Sequence, residues 1–197
     1  MEDLADTTTQ SIKEDQIAPA PMKLNEGLTA TSDLVIRQFG RDDLSEVVEI
    51  NRVCLPENYP DQFFIGLHLH APRAFLVGVQ DGKVTGYIMC RIERGFSGFG
   101  HVPVKKGHIV SVAVLPGYRH HGVGTALVKA AMDGMQAYGA QEFFLEVRKT
   151  NEAAISIYEN LGFENKRVLK GYYRDGEDAY LMMKTREGAL GETVDAA

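Results

Sequence analysis

Tryptophan is absent from this chain of 197 residues, and cysteine appears only twice, at Cys54 and Cys90. Two thiols without a CxxC or a Cys/His cluster make neither a disulfide framework nor a zinc site, so no metal is expected. Positive charge is in deficit. The 21 Lys and Arg against 27 Asp and Glu give a net charge of −6, which argues against nucleic acid as the main ligand. No apolar run approaches membrane-spanning length, and the opening MEDLADTTTQ lacks the apolar core of a signal peptide. These absences predict a cytoplasmic protein with reduced thiols and no membrane partner. An apolar content of 44% suffices for a core, and the length fits one domain.

Residues 1–32 are polar and threonine-rich, with APAP and no clear period, so a flexible tail is expected there. Residues 186–197 read the same way, which leaves 33–185 as the folded domain. Within it, an alternating strand covers 34–39. The helical stretch RDDLSEVVEINRVC puts Leu44, Val47, Val48 and Ile50 on one face. LPENYPDQ breaks that helix, and a short helix is expected over 63–70. AFLVGVQ and VTGYIMCRIE pair as a hairpin through the Asp81-Gly82 turn. RGFSGFGHVPVKKG reads as a glycine-rich loop, and its Lys105 and Lys106 as solvated or facing a partner or a phosphate. HIVSVAVL is a buried strand, and HHGVGTALVKAAMDGMQAYG a helix that Gly139 can end. QEFFLEVRK is a further strand. NEAAISIYENLGF is a helix from Asn151 as N-cap to Gly162, and KRVLKGYY with AYLMMK closes the domain as a hairpin around RDGED. The order predicts an α/β fold with a mixed sheet, largely antiparallel, with one right-handed parallel βαβ unit.

The run Arg119-His120-His121-Gly122-Val123-Gly124-Thr125-Ala126 raises a chemical question. Glycine costs stability in a helix, yet two sit at this helix start beside a cation. The unpaired N–H groups there attract anions, and glycine lets a phosphate come close, so a pyrophosphate is the expected ligand. Neither a P-loop nor a complete dinucleotide fingerprint is present. Tight helix–strand packing by small residues is the competing explanation.

The same six residues, Arg119 to Gly124, resemble the pyrophosphate-binding signature of the GNAT acetyltransferases: Gln or Arg, two residues, Gly, one residue, then Gly or Ala. NEAAISIYENLGF is similar to that superfamily's second motif helix. LPENY, SVAV, LEVRKTN and KGYYRDGEDAYLM look like protein N-terminal acetyltransferases of the Ard1 type, the catalytic subunit of NatA, which are also RimI-like. The resemblance spans about residues 34–184. It implies a GNAT fold: a mixed sheet of about seven strands, splayed between the fourth and fifth, with about four flanking helices. It implies acetyl-CoA as co-substrate and direct attack of a peptide α-amine in a ternary complex. The starts it suggests are Ser, Ala, Met-Leu and acidic residues. Lysine or small-molecule acetylation, or a CoA-binding subunit with little catalysis, stay open.

By the same resemblance, main chain at Val112, Ala113 and Val114 pairs with pantetheine, and residues 119–126 hold the pyrophosphate. The Val112 N–H would be the oxyanion donor. His108 and Glu146 would accept the proton of the amine, with surface hydrogen bonding by His108 and a Glu146–Arg148 ion pair as competing explanations. Tyr158 would face the sulfur, unless it is only a core aromatic, and Asn151 would cap its helix and touch the cofactor arm. Leu55, Glu57 and Tyr59 would form one wall of the peptide slot, with Glu57 helping to deprotonate the amine or merely capping a turn. Tyr172 and Tyr173 would form the other wall. The partner implied is a protein or nascent-chain N-terminus. A ribosome or helical auxiliary subunit is a further partner, for which His68 and His70 are candidate contacts.

Overall fold

A computed structural model describes residues 22–23, 33–100 and 102–186. The predicted tails, apart from residues 22–23, therefore lie outside the described residues. Strands β1 (Val35–Gln38), β2 (Phe75–Gln80), β3 (Lys83–Phe96), β4 (Pro103–Val114), β5 (Glu142–Arg148), β6 (Glu164–Leu169) and β7 (Ala179–Thr185) make the sheet. Its order is β1-β2-β3-β4-β5-β7-β6, and only β4 and β5 run parallel. The backbone of Met22–Lys23 adds a two-residue pairing to the outer edge of β1. The helices are α1 (Leu44–Cys54), α2 (Asp61–His70), α3 (Val123–Ala137) and α4 (Glu152–Asn160).

Both faces of the sheet are covered. Helices α3 and α4 bury Leu127, Ala131, Met135 and Tyr158 against Leu76, Ile88, Phe143, Leu145 and Val147. On the opposite face α1 and α2 bury Val47, Ile50, Phe64 and Leu67 against Phe75, Val77, Tyr87 and Met89. The alternation along β2 and β3 sends successive side chains to the two cores, which is why these strands are apolar almost throughout. Asp81 and Gly82 take positive φ (50° and 74°), the conformation that a two-residue hairpin turn requires.

One expectation is corrected. The glycine-rich stretch from Arg94 to Gly107 is mostly strand: β3 and β4 pair from Arg91↔His108 out to Phe96↔Pro103, and of its described residues only 97–100 and 102 lie outside them. Gly107 belongs there because a Cβ would lie 2.4 Å from Met135 Sδ, so glycine serves packing rather than flexibility. Lys105 reaches the Tyr138 carbonyl at the end of α3 (2.9 Å), and Lys106 approaches Glu142 (3.6 Å). His68 and His70 are engaged as well. The first lies edge-on to Phe39, and the Nε2 of the second contacts the backbone of Ile92. Among the described residues no helix is long and apolar enough to cross a membrane.

Candidate active site

The parallel ladder between β4 and β5 is short. It holds Lys106↔Glu142, Gly107↔Phe143 and His108↔Phe144, and then stops. Beyond it the strands part, and residues 109–112 and 145–148 line opposite sides of a cavity of about 660 Å³. A bulge in β4 between the Ile109 and Ser111 pairings sits at the fork. Such an extra residue bends the strand and ends pairing locally.

Backbone directions in the gap follow from the ladder. Leu115 donates to the Thr85 carbonyl (2.9 Å), so the alternation makes 87/113 and 89/111 the hydrogen-bonded pairs. Ala113 therefore bonds Tyr87. Val112 and Val114 turn their N–H and C=O toward the gap. The Val114 carbonyl already accepts from Arg119 Nε (2.9 Å) and Cys54 Sγ (3.5 Å), which leaves the Val112 groups and the Val114 N–H free to meet a ligand strand.

The helix start at the end of this gap is open. Gly122 precedes α3 at φ 79°, and His120 also has positive φ (65°). A Cβ on Gly122 would meet nothing within 4 Å, and one on Gly124 would only touch Ile157 and Val114 at ordinary contact distance. Packing does not demand these glycines, which sets aside the competing explanation. An N-terminus with exposed Arg119, His120 and His121 beside it, and room for an anion, fits a pyrophosphate. Val123 and Leu127 are buried, and Thr125 and Ala126 sit half-buried in the first turn.

His108 and Glu146 meet where the strands fork: Nε2 lies 2.9 Å from Glu146 Oε2. His108 is 8% exposed and stacks on Phe144 at 4.3 Å between ring centres. The expected rival, a Glu146–Arg148 pair, does not form. Arg148 instead donates to Glu57 (2.5 Å), Asp175 (2.7 Å) and Glu177 (2.6 Å), and lies over the Tyr173 ring at 4.0 Å. Burial alone would lower its pKa, but the bonds to Glu177, Glu57 and Asp175 more than offset this, and the net shift is upward. One guanidinium thus ties the α1–α2 loop, which carries Glu57, to the β6–β7 loop, which carries Asp175 and Glu177.

The two loops wall the outer mouth. Leu55, Glu57 and Tyr59 line it on one side, and Tyr172 and Tyr173 on the other. Tyr59 stacks on Phe63 (4.6 Å), and the Tyr173 hydroxyl reaches the Glu146 carbonyl (3.4 Å). Burial and the Glu146 carboxylate push the Tyr172 hydroxyl up to about 12. Burial also raises Tyr59 and Tyr173, with Glu57 and then Glu146 adding to it. Glu146 lines the same cavity as these three tyrosines.

At the inner side, Tyr158 from α4 is 5% exposed and lines the cavity, its hydroxyl held well above the ordinary range by burial and then by Cys90. Asn151 caps α4, accepting from the Ala154 N–H at 3.2 Å, and also lines the cavity. The sequence reading missed three parts of the site. They are the role of Arg148, the carboxylates of the RDGED loop that hold it, and the buried chain Asn51–Tyr87–Ser111, with both bonds at 2.9 Å, behind the cavity.

The acetyltransferase (GNAT) family matches residues 44–163. The chain belongs to the GNAT acetyltransferase family. An "N-alpha-acetyltransferase" of Saccharolobus solfataricus is 49% identical over 155 residues, covering 77% of this chain and 93% of the relative. The crystal structure of Ard1 from Thermoplasma volcanium superposes with TM-score 0.67 at 30% identity, over 77% of this chain and 97% of that one. Naa50 of Arabidopsis thaliana, solved with the bisubstrate analogue CoA-Ac-MVNAL, gives TM-score 0.66 at 25% identity, over 78% and 99%. As a GNAT protein the chain takes acetyl-CoA as its co-substrate.

Proposed function

We propose that this GNAT protein transfers the acetyl group of acetyl-CoA to the α-amino group of protein N-termini, by direct attack in a ternary complex. The observation that carries the reading is the His108–Glu146 pair at the strand fork, whose Glu146 lines the cavity under a mouth whose two loops are tied together by Arg148. The near relative named an N-alpha-acetyltransferase and the Naa50 structure with a CoA–peptide analogue support it.

Acetyl-CoA enters with its pyrophosphate on residues 119–126 and its arm between β4 and β5, against the backbone of Val112 and Val114. Asn151 touches the arm. The peptide enters from the other side, between Leu55 and Tyr59 on one wall and Tyr172 and Tyr173 on the other. Glu57 attracts the α-ammonium. An α-amine has a pKa of about 7.8, so roughly 10–20% is already neutral at pH 7, whereas a lysine at about 10.4 is neutral to well under ~0.1%. The task of the base is therefore modest. Glu146, with His108 behind it, takes the proton directly or through a water. The amine nitrogen bonds to the acetyl carbon, and the Val112 N–H donates to the developing oxyanion. The C–S bond breaks, and Tyr158, which burial keeps protonated, donates to the departing thiolate and is reprotonated from the base pair. Two walls held by one guanidinium suit a chain end better than a mid-chain lysine, whose backbone continues on both sides.

A peptide panel tests this: starts of Ser, Ala, Met-Leu, Met-Glu and Glu, each with an internal lysine, and each with a free and a blocked N-terminus. Transfer that disappears on blocking supports the reading, and the ranking of starts reports on Glu57 and Tyr59. Transfer that survives blocking replaces it with lysine chemistry. CoA binding without transfer to any peptide points to a CoA-binding subunit.

A further inference from the structure

We infer that Glu93, which lies outside the cavity, is a positioning residue of the proton acceptor, completing a Glu93–His108–Glu146 relay. This rests on the proposed role of His108 and Glu146. The imidazole of His108 has a carboxylate on each nitrogen. Nε2 lies 2.9 Å from Glu146 Oε2, and Nδ1 lies 3.2 Å from Glu93 Oε1. The three residues come from adjacent strands: Glu93 from β3, His108 from β4 and Glu146 from β5. Stacking on Phe144 fixes the plane of the ring, so both contacts belong to one orientation.

Hydrogen-bond accounting locates one proton. An ionised carboxylate only accepts, and a neutral imidazole has a single N–H. Glu93 Oε1 also accepts from Arg91 Nε, a group that can only donate. An oxygen in that position is an acceptor toward His108 too, so the proton is on Nδ1. Nδ1–H therefore stays with Glu93. The 2.9 Å between Nε2 and Glu146 Oε2 is a hydrogen bond only with a proton between them, so it is the geometry of the pair after it has accepted one; before that, two lone pairs face each other there, which makes the pair a ready proton acceptor. When Glu146 takes a proton from the amine, it can share it with Nε2. The charge this places on the ring is met by Glu93 on the far side. No proton passes to Glu93, and nothing else is consumed. Without Glu93 the ring is free to hold its proton on Nε2, where it blocks acceptance from Glu146. An orienting carboxylate of this kind sets the tautomer of a histidine base in hydrolytic triads as well.

Glu93 does not line the main cavity, whereas Glu146 does. It faces a shallow depression with Leu67, His70, Arg91 and Ile92 instead. Its loss should therefore act on the rate and spare substrate binding. In Glu93→Gln the amide can donate to Nδ1 and favour the wrong tautomer. The expected result is a fall in kcat of about 10–100-fold, part of the roughly 10²–10⁴ that acid–base catalysis supplies, with KM for peptide and acetyl-CoA within about twofold. Glu93→Asp keeps the charge and should recover a large part of the lost kcat. A readout independent of activity is the ring nitrogen signals of His108 in ¹⁵N-labelled protein. Nδ1 should show an attached proton in the wild type and lose it, in part, in Glu93→Gln.

Wild-type kcat in Glu93→Gln, or an unchanged Nδ1 signal, overturns the inference. A lowered melting temperature with kcat intact reduces Glu93 to a structural residue and overturns it equally. If Glu93→Gln does not fold, Glu93→Asp decides by the same two readouts, with a proton retained on Nδ1 and a kcat within about tenfold of wild type expected. Should the wild type acetylate no peptide, the proposed function fails, and the ring signals still decide whether Glu93 holds the Nδ1 proton.

Discussion

Replacing Gly124 or Gly122 by alanine separates ligand binding from folding. A Cβ at Gly124 stands 3.6 Å from Ile157 Cδ1 and 3.9 Å from Val114 Cγ2, ordinary contact distances, and its φ is helical. The fold should accept the methyl and gain about 0.4–1 kcal/mol from the reduced freedom of the unfolded chain. In a chain of this size that raises Tm by about 1–4 °C. The same methyl points between α4 and the end of β4, into the protein, and the family signature takes Gly or Ala at this place, so CoA affinity should be unchanged. Gly122→Ala is the contrast. Its Cβ would stand in open space at the helix start, where it would hold a pyrophosphate off the helix N–H groups. Losing one charge-assisted hydrogen bond costs about 1.5–3 kcal/mol, which is about 10–100-fold in Kd. Its φ of 79° is also strained for alanine by about 1–2 kcal/mol, so Tm should fall by about 2–8 °C. Titration calorimetry with CoA and a thermal melt measure both effects on each variant. A folded Gly122→Ala protein that binds CoA with wild-type affinity would refute the placement of the pyrophosphate.

Other consequences are equally direct. Glu146→Gln should lower kcat by about 10²–10⁴ while CoA affinity, measured by calorimetry, stays put. Tyr158→Phe should lower kcat about tenfold, and denaturant unfolding should show stability within about 1 kcal/mol of wild type, because the buried ring is kept. Asp175 and Glu177 have depressed pKa values: for Asp175 the backbone N–H of Glu177 is the first cause, for Glu177 the Thr150 hydroxyl, and Arg148 follows in both. Groups depressed in the folded state stabilise above their unfolded pKa and stop doing so as pH falls through the folded one. Peptide KM should therefore rise as pH drops below about 4, and Asp175→Asn with Glu177→Gln should remove that rise. Tyr87→Phe leaves the buried Asn51 amide without its 2.9 Å acceptor, and chemical denaturation should show a loss of about 1–3 kcal/mol.

The sequence made some of this visible and hid the rest for identifiable reasons. Helices α1, α3 and α4 follow from local periodicity with local stops: Gly139 and Gly162 have φ of 86° and 83°, and Asn151 caps α4. The Asp81-Gly82 hairpin is equally local. The outer half of the β3–β4 hairpin was hidden because its glycines imitate a loop, while the reason for Gly107 is Met135, in the helix packed on that face of the sheet. The pairing of His108 with Glu146 was legible only through the family motif, since 38 residues separate them. The partners of Arg148 were not legible. A neighbour two residues away on the same strand face, Glu146, looked sufficient, but carboxylates from two distant loops reach the guanidinium and His108 claims Glu146. The acidic loop near residue 177 had a pattern but no physical account. In the structure Glu177 holds Arg148 and Thr150, and Asp178 holds Lys170 and the Gly171 N–H. Glu93 gave no signal, because its contact with His108 exists only once the hairpin ladder is known.

The most direct test of the account locates the acetyl group itself. A peptide with a free α-amine and one internal lysine is incubated with the protein and acetyl-CoA, and fragmentation mass spectrometry assigns the modified nitrogen. The account predicts acetyl on the α-nitrogen alone, lost in Glu146→Gln. Acetyl on the lysine side chain, or undiminished α-acetylation in that variant, would contradict it.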